Sequence, residues 1–480
     1  MSTKPFMKIV TDAQIEKIHQ KAIDMLQNYG IDVREEECKN TLLEHGCKLI
    51  HNGRVQISPD LIDSMIAKNK KKIEFESLFG NKLTVEYGKH YSHTFGGASA
   101  IVDLDGNYRL ATGQDLVQSY MLNDELEHLD MACALVYPSD LDDRMCQYLE
   151  CMLPLVNSKK PVCGAALSHP GPAKYVAKLN DIITGGDMSK PRPLMTHVSP
   201  QSPFVWTAED IDCVRSVCKS GIPTTLLTAP MAGLTSPMSI IGNVTQVHAE
   251  ILAWGVWYYL VNPECAWIYA PRCYFPNMRN CQLSPGLPEN AIASAIASQM
   301  ADYYGFISDV NGGYITSCTS DVQIGYEKMM NCLMPAMAGA TIVTGYGAIA
   351  GGTIYSPVQH VIDNEICGRV KKALEVIDLS DDYIFGEEAL EDVVLEKNTF
   401  LEQMHTIEYM RKMFTPTVAF NGTWAEWSAM NAPDIKEVAA TQAREIFARY
   451  EKPVLEDVNP ALAKEINDLT KAAEKELLAT

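Results

Sequence analysis

Apolar and polar residues follow two different rhythms along this chain, and the rhythm changes near residue 111. Ahead of that point, "TDAQIEKIHQKAIDMLQNYG" spaces its apolar residues as one face of a helix, behind a Thr11 cap and ahead of a stop at Gly30. "SPDLIDSMIAKNKKK" repeats the grammar, with Ser58 as cap and Pro59 in the first turn. "KLTVEYGKHYSHTFGGASAIVDLDGNYRLAT" alternates and turns at Gly96-Gly97 and Asp105-Gly106, as β-hairpins do. Residues 1–110 thus predict a helical and β-hairpin extension.

From residue 111 a short apolar strand and an amphipathic helix recur. The predicted strands are "MACALVY", "VCGAAL", "PLMTHV", "TTLLTA", "CAWIYA", "GFISDV", "TIVTGY" and, after a longer helical insert, "PTVAF". Helical patterns fill 115–128, 144–157, 172–184, 207–219, 239–260, 288–303, 323–338 and 357–374. About eight alternations predict an α/β fold, a (β/α)8 TIM barrel over 111–430, rather than an open doubly wound sheet. Residues 431–480 are charged and helical and predict a C-terminal tail on the surface or at a subunit contact, and a homo-oligomer is expected.

Composition narrows the partners. The balance of 40 basic against 60 acidic residues, a net charge of −20, argues against nucleic acid or an anionic membrane, which both want clustered Lys and Arg. The most apolar window, "VHAEILAWGVWYYLVNPECAWIYA", is broken by His248, Glu250 and Pro263 and reads as a buried helix running into a strand. "MSTKPFMKIVTDAQIEKIHQ" has no basic stretch leading into an apolar one, so a cytoplasmic location is expected. The 14 cysteines are scattered, and the pairs Cys146/Cys151 and Cys213/Cys218 lack a second half with zinc spacing. They read as reduced, buried, small apolar residues, and no metal ligand is assigned.

In a parallel barrel, chemistry sits at the carboxyl ends of the strands. Those ends carry Ser168 and His169, His197 and Ser199, Thr228, then Tyr269, Arg272, Tyr274 and Phe275, then Asp309, Asn311 and Tyr314, and Tyr346. No P-loop, GxGxxG, HExxH or GxSxG occurs. The loop "GYGAIAGGTIYS" holds Gly345, Gly347, Gly351 and Gly352, and suits either a phosphate or a large partner that comes close to the backbone. His93, His169 and His197 could hold zinc, bond a carbonyl or meet a substrate carboxylate; Arg272 and Arg279 are cations placed for an anion. Aromatic residues are dense around the same ends, a composition that suits a quaternary ammonium.

The blocks "HTFGGASAIVDLDG", "TAPMAGLTSPMSIIGNVTQVHAEILAWGVWYYLVNPECAWIYA", "SDVQIGYEKMMNCLMPAMAGATIV", "VIDNEICGRVKKALEVI" and "FNGTWAEW" resemble the trimethylamine methyltransferase-like (MttB) superfamily over most of residues 90–430. The resemblance implies a (β/α)8 barrel that moves a methyl group from an amine to the Co(I) of a partner corrinoid protein, with no cofactor bound tightly by the barrel itself. Trimethylamine enzymes of that family carry pyrrolysine just ahead of a segment like "QIGYEK"; here the position falls at Val322, which cannot form an amine adduct. The resemblance is therefore to the non-pyrrolysine branch, which demethylates quaternary amines, with glycine betaine the first expectation and proline betaine or carnitine next. Tyr91, Phe95, Tyr274, Tyr355 and Trp424 are the expected cage, with Tyr269, Phe275 and Tyr346 nearby. Arg272, His93 and His197 are expected to meet the carboxylate, Gln246 and Glu250 to line the floor, and the glycine loop to admit the corrinoid. The alternatives are a zinc-dependent methanol or thiol methyltransferase and a betaine-binding protein without catalysis.

Overall fold

The computed structural model describes residues 7–396 and 398–479; the first six residues, part of the stretch on which the N-terminal reading rests, lie outside them. The fold is mixed α/β with parallel strands. Val162–Ala166, Leu194–Val198, Thr224–Thr228 and Trp267–Pro271 form one parallel sheet in that order. Asp309–Asn311, Ile342–Tyr346 and Tyr91–Thr94 form a second. Single parallel bridges join the two: Tyr269 to Ser308 on one side, and His93 to Met131 and Ala132 to Val162 on the other. Leu194–Val198 and Trp267–Pro271 are buried at every position, because helices cover the outer side and side chains fill the inner one.

A helix follows nearly every strand of these sheets, among them Pro170–Thr184, Ala208–Lys219, Ile240–Val261, Pro288–Tyr304 and Pro357–Ala373. Ile240–Val261 is apolar all round and is buried from Asn243 to Tyr258, because the N-terminal helices Asp12–Asn28 and Pro59–Lys68 pack over its outer face. Among the described residues no helix is long and apolar enough to cross a membrane. The C-terminal helix Pro460–Leu477 lies against Pro170–Thr184 and Asp143–Asn157; Thr470 meets the Tyr148 hydroxyl at 2.9 Å and Glu476 accepts from Tyr175 at 2.8 Å.

Three sequence expectations need correction, the first being "MACALVY", which forms no continuous strand and joins its neighbours only through single bridges at Met131, Ala132 and Val136. "PTVAF" forms no strand: the amides of Thr417, Val418 and Ala419 all donate to the Glu365 carboxylate at 2.8–3.1 Å, so they are not free for a sheet neighbour. The strand beside Ile342–Tyr346 is Tyr91–Thr94, read from the sequence as part of a hairpin. True hairpins flank it, Lys72–Glu76 with Lys82–Glu86 and Ala100–Val102 with Tyr108–Leu110.

The carboxyl ends of Asp309–Asn311 and Ile342–Tyr346 approach so closely that only glycine fits. A β-carbon on Gly345, whose φ is +113°, would lie 2.5 Å from the Tyr314 amide nitrogen. Gly345→Ala is expected to cost about 1–3 kcal/mol, read as a lower urea midpoint with an unchanged slope.

Candidate active site

A cavity of about 240 Å³ opens at the carboxyl ends of the strands. His93, Cys133, His197, Arg272 and Thr344 line its floor, and Tyr137, Glu150 and Tyr314 its walls. Each floor residue leaves the end of a strand or bridged segment, so backbone pairing sets the spacing.

One side of the floor is a buried charge relay. Asp309 Oδ2 is 2.9 Å from His93 Nε2 and Asp309 Oδ1 is 3.2 Å from Arg272 Nη2. The other Arg272 amino group donates to the Asp309 carbonyl. His93 Nδ1 lies 2.8 Å from the Thr94 carbonyl and 3.1 Å from Thr344 Oγ1. Burial opposes the Asp309 charge, but Arg272 and His93 outweigh it and hold the carboxyl well below its ordinary range. Burial likewise opposes an imidazolium at His93, and Asp309 more than offsets it. Acceptors face both ring nitrogens, so both N–H groups of an imidazolium at His93 would have partners.

The other side is sulfur-rich. His197 Nε2 lies 2.8 Å from Cys163 Sγ and 3.4 Å from Cys133 Sγ, and His197 Nδ1 is paired with the Thr225 hydroxyl. The Cys133 thiol is held well below its ordinary value by a hydrogen bond from Cys163 and then by His197, while burial pushes Cys163 up. Two cysteine sulfurs and one imidazole share the space.

Glu150 projects from the Asp143–Asn157 helix into the same cavity. Burial, with Cys133 adding to it, pushes its carboxyl up to about 8.

The sequence candidates separate into those that meet here and those that do not. His93, His197 and Arg272 line the cavity. Phe95 and Tyr274 stand just behind it, their rings 4.5 and 6.1 Å from that of Tyr314. Tyr91 borders a separate cavity with Lys89, His128 and Lys371, below the amino end of its strand. Tyr269 bonds His248 and stacks on Phe306 among the helices, and Phe275 packs in the same core. Tyr346 is buried with Val343 and Cys332, and Tyr355 reaches His360 at 3.2 Å. Trp424 is 77% exposed against Trp427, and Val322 is 85% exposed in the first turn of Val322–Met337. His169 and Arg279 are exposed.

Gln246 and Glu250 are buried away from the cavity. Glu250 accepts from Ser202 at 2.6 Å, Gln246 at 2.9 Å and the Phe204 amide at 3.2 Å, and burial lifts its carboxyl to about 7. The pair braces the loop at 202–204 and does not form a pocket floor. In the glycine loop, Gly347 donates its amide to Asp363 at 2.6 Å, Gly345 crosses Gly313, and Gly351 and Gly352 take left-handed turns. Tyr137, Glu150, Cys133 and Cys163 were not expected from the sequence.

A family model described as trimethylamine methyltransferase (MTTB) matches residues 1–477. The glycine betaine methyltransferase of Desulfitobacterium hafniense (strain Y51) is 25% identical over 461 residues, covering 94% of this chain and 95% of that one. The trimethylamine methyltransferase MttB of Methanosarcina thermophila is 26% identical over 467 residues, covering 94% and 95%. Among solved structures, the Methanosarcina barkeri monomethylamine methyltransferase (MtmB) superposes with a TM-score of 0.54 at 13% identity, over 95% of this chain and 89% of that one. A hydroxylamine complex of MtmB gives 0.55 at 15%, over 94% and 88%.

Proposed function

We propose, because this chain belongs to the trimethylamine methyltransferase (MTTB) family and is a methyltransferase, that it moves a methyl group from a quaternary amine to the Co(I) of a partner corrinoid protein. Glycine betaine is the first donor to test, with proline betaine and carnitine next. The parallel segments are read as a (β/α)8 barrel in which Tyr91–Thr94 takes the place that "PTVAF" was expected to fill; the bridges at both junctions of the two sheets support that closure. The division into an extension (1–110), a barrel (111–430) and a tail (431–480) is kept with that one exchange.

The observation that carries this reading is the polarity of the cavity. Glu150, Tyr137 and Tyr314 line the cavity together with Arg272 and His93, the two basic groups that share the Asp309 carboxylate. A betaine is its complement: a trimethylammonium for the glutamate and the ring faces, a carboxylate for the guanidinium and imidazolium. A quaternary nitrogen leaves as a neutral tertiary amine, so no group must protonate it. The nucleophile belongs to the corrinoid. What remains for the barrel is to aim a methyl group and exclude water, which can supply on the order of 7 kcal/mol. Val322, exposed and off the cavity, has no chemical task in this reading.

The sulfur-rich side of the floor favours a second reading, a thiol or alcohol donor activated by a metal. One assay separates them. Purified protein with Co(I) cobalamin is expected to form methylcobalamin from glycine betaine and none from trimethylamine, methanol or a methylated thiol. Faster transfer from any of the last three overturns the betaine reading.

A further inference from the structure

We propose that Cys133, Cys163 and His197 form a zinc site whose fourth position opens into the cavity. The donors come from three neighbouring segments, Cys133 beside the bridged Met131–Ala132, Cys163 in Val162–Ala166 and His197 in Leu194–Val198. All three are buried.

The geometry is close to what a tetrahedral ion needs. With zinc–sulfur bonds of about 2.3 Å and zinc–nitrogen bonds of about 2.0 Å, the sulfur and nitrogen ligands lie roughly 3.5 Å apart. The present separations from His197 Nε2 are 3.4 Å to Cys133 Sγ and 2.8 Å to Cys163 Sγ, so one sulfur must move back by several tenths of an ångström. His197 Nδ1 is paired with the Thr225 hydroxyl; in the tautomer that donates its Nδ1–H there, Nε2 turns its lone pair to the sulfurs. Space beside Cys133 is reserved as well: a β-carbon on Gly96 would fall 2.7 Å from its sulfur. Two thiolates and a neutral imidazole cancel the charge of a divalent ion, so the loaded site can stay buried, and thiolate donors select zinc over magnesium or calcium.

His93 also lies within 4.8 Å of both thiol sulfurs in ligand-atom distance. It is left out of the set because Asp309 takes Nε2 and the Thr94 carbonyl faces Nδ1, which leaves no lone pair to give. The fourth position is therefore open, the arrangement of catalytic rather than structural zinc, and fits an anionic oxygen or sulfur of a substrate. This inference does not depend on which methyl donor is used, since metal content is read before any donor is added.

The test is elemental analysis of the full chain, purified under reducing conditions, loaded with zinc and dialysed exhaustively. One zinc per chain is expected. Cobalt(II) put in its place should give a thiolate-to-cobalt charge-transfer band in the near ultraviolet and intense visible bands of a tetrahedral ion. Cys163→Ser and His197→Gln should each weaken zinc binding at least tenfold, Thr225→Val about tenfold through the imidazole it orients, and His93→Gln should leave it intact. Wild-type protein without stoichiometric zinc, or a cobalt spectrum free of thiolate charge transfer, overturns the site. Loss of zinc in His93→Gln overturns the open fourth position.

Discussion

Replacing Asp363 by alanine is expected to cost about 3–5 kcal/mol of stability, because it strands a buried charge. Lys328 and Asp363 are both fully buried, with Nζ 2.5 Å from Oδ2. The same carboxylate accepts from the Gly347 amide at 2.6 Å and from Gln359 at 2.7 Å. Alanine removes the acceptor of all three donors and leaves an ammonium in the interior. Asp363→Asn keeps an acceptor for Gly347 but not the counter-charge, so it should be nearly as damaging. The double change Lys328→Met with Asp363→Leu removes both charges together and should recover most of the loss. Urea unfolding of the four proteins decides it. If Asp363→Ala costs less than about 1 kcal/mol, the pair is not the sealed, mutually dependent unit described here. Because Asp363 holds Gly347, the same variants should loosen the glycine loop beside the cavity.

Among the strands that the sequence made legible are those whose side chains are apolar on both faces, such as Val162–Ala166 and Trp267–Pro271. Tyr91–Thr94 was missed because Ser92, His93 and Thr94 are polar, and they are polar because they serve the floor and its neighbours. Hydrophobic patterning is weakest where a strand delivers chemistry. The site shows the same division. His197 and Arg272 were found because they end strands, whereas Cys133 and Cys163 are 30 residues apart and no local spacing rule joins them. Aligning "MACALVY" with "VCGAAL" as successive parallel segments would have set the two thiols side by side. The aromatic candidates scattered because ring content says nothing of which face a residue takes. Tyr346 and Tyr355 point into the core and Trp424 out to solvent.

Glu150→Gln is expected to abolish the pH dependence of betaine binding and to weaken that binding at least tenfold. In the folded chain the carboxyl titrates at about 8, against an ordinary value of 4.5, because burial penalises its charge. Between those two values the folded state holds a proton that the unfolded state has released, so stability falls as pH rises from 4.5 to 8. The loss totals roughly 4–5 kcal/mol once pH exceeds the folded value. Glu250, lifted to about 7 by burial, adds a slope of the same sign, so Glu150→Gln should flatten the stability profile only in part. A quaternary ammonium reverses the balance at Glu150: it favours the carboxylate and expels the proton. Betaine affinity should therefore rise from pH 6 to 8, with proton uptake by the buffer visible in calorimetry across buffers of different ionisation enthalpy. The glutamine variant should bind weakly at both pH values and release no proton. Equal affinity and equal proton release in wild type and variant would show that the cation does not sit against Glu150, and the polarity assigned to the cavity would fall with it.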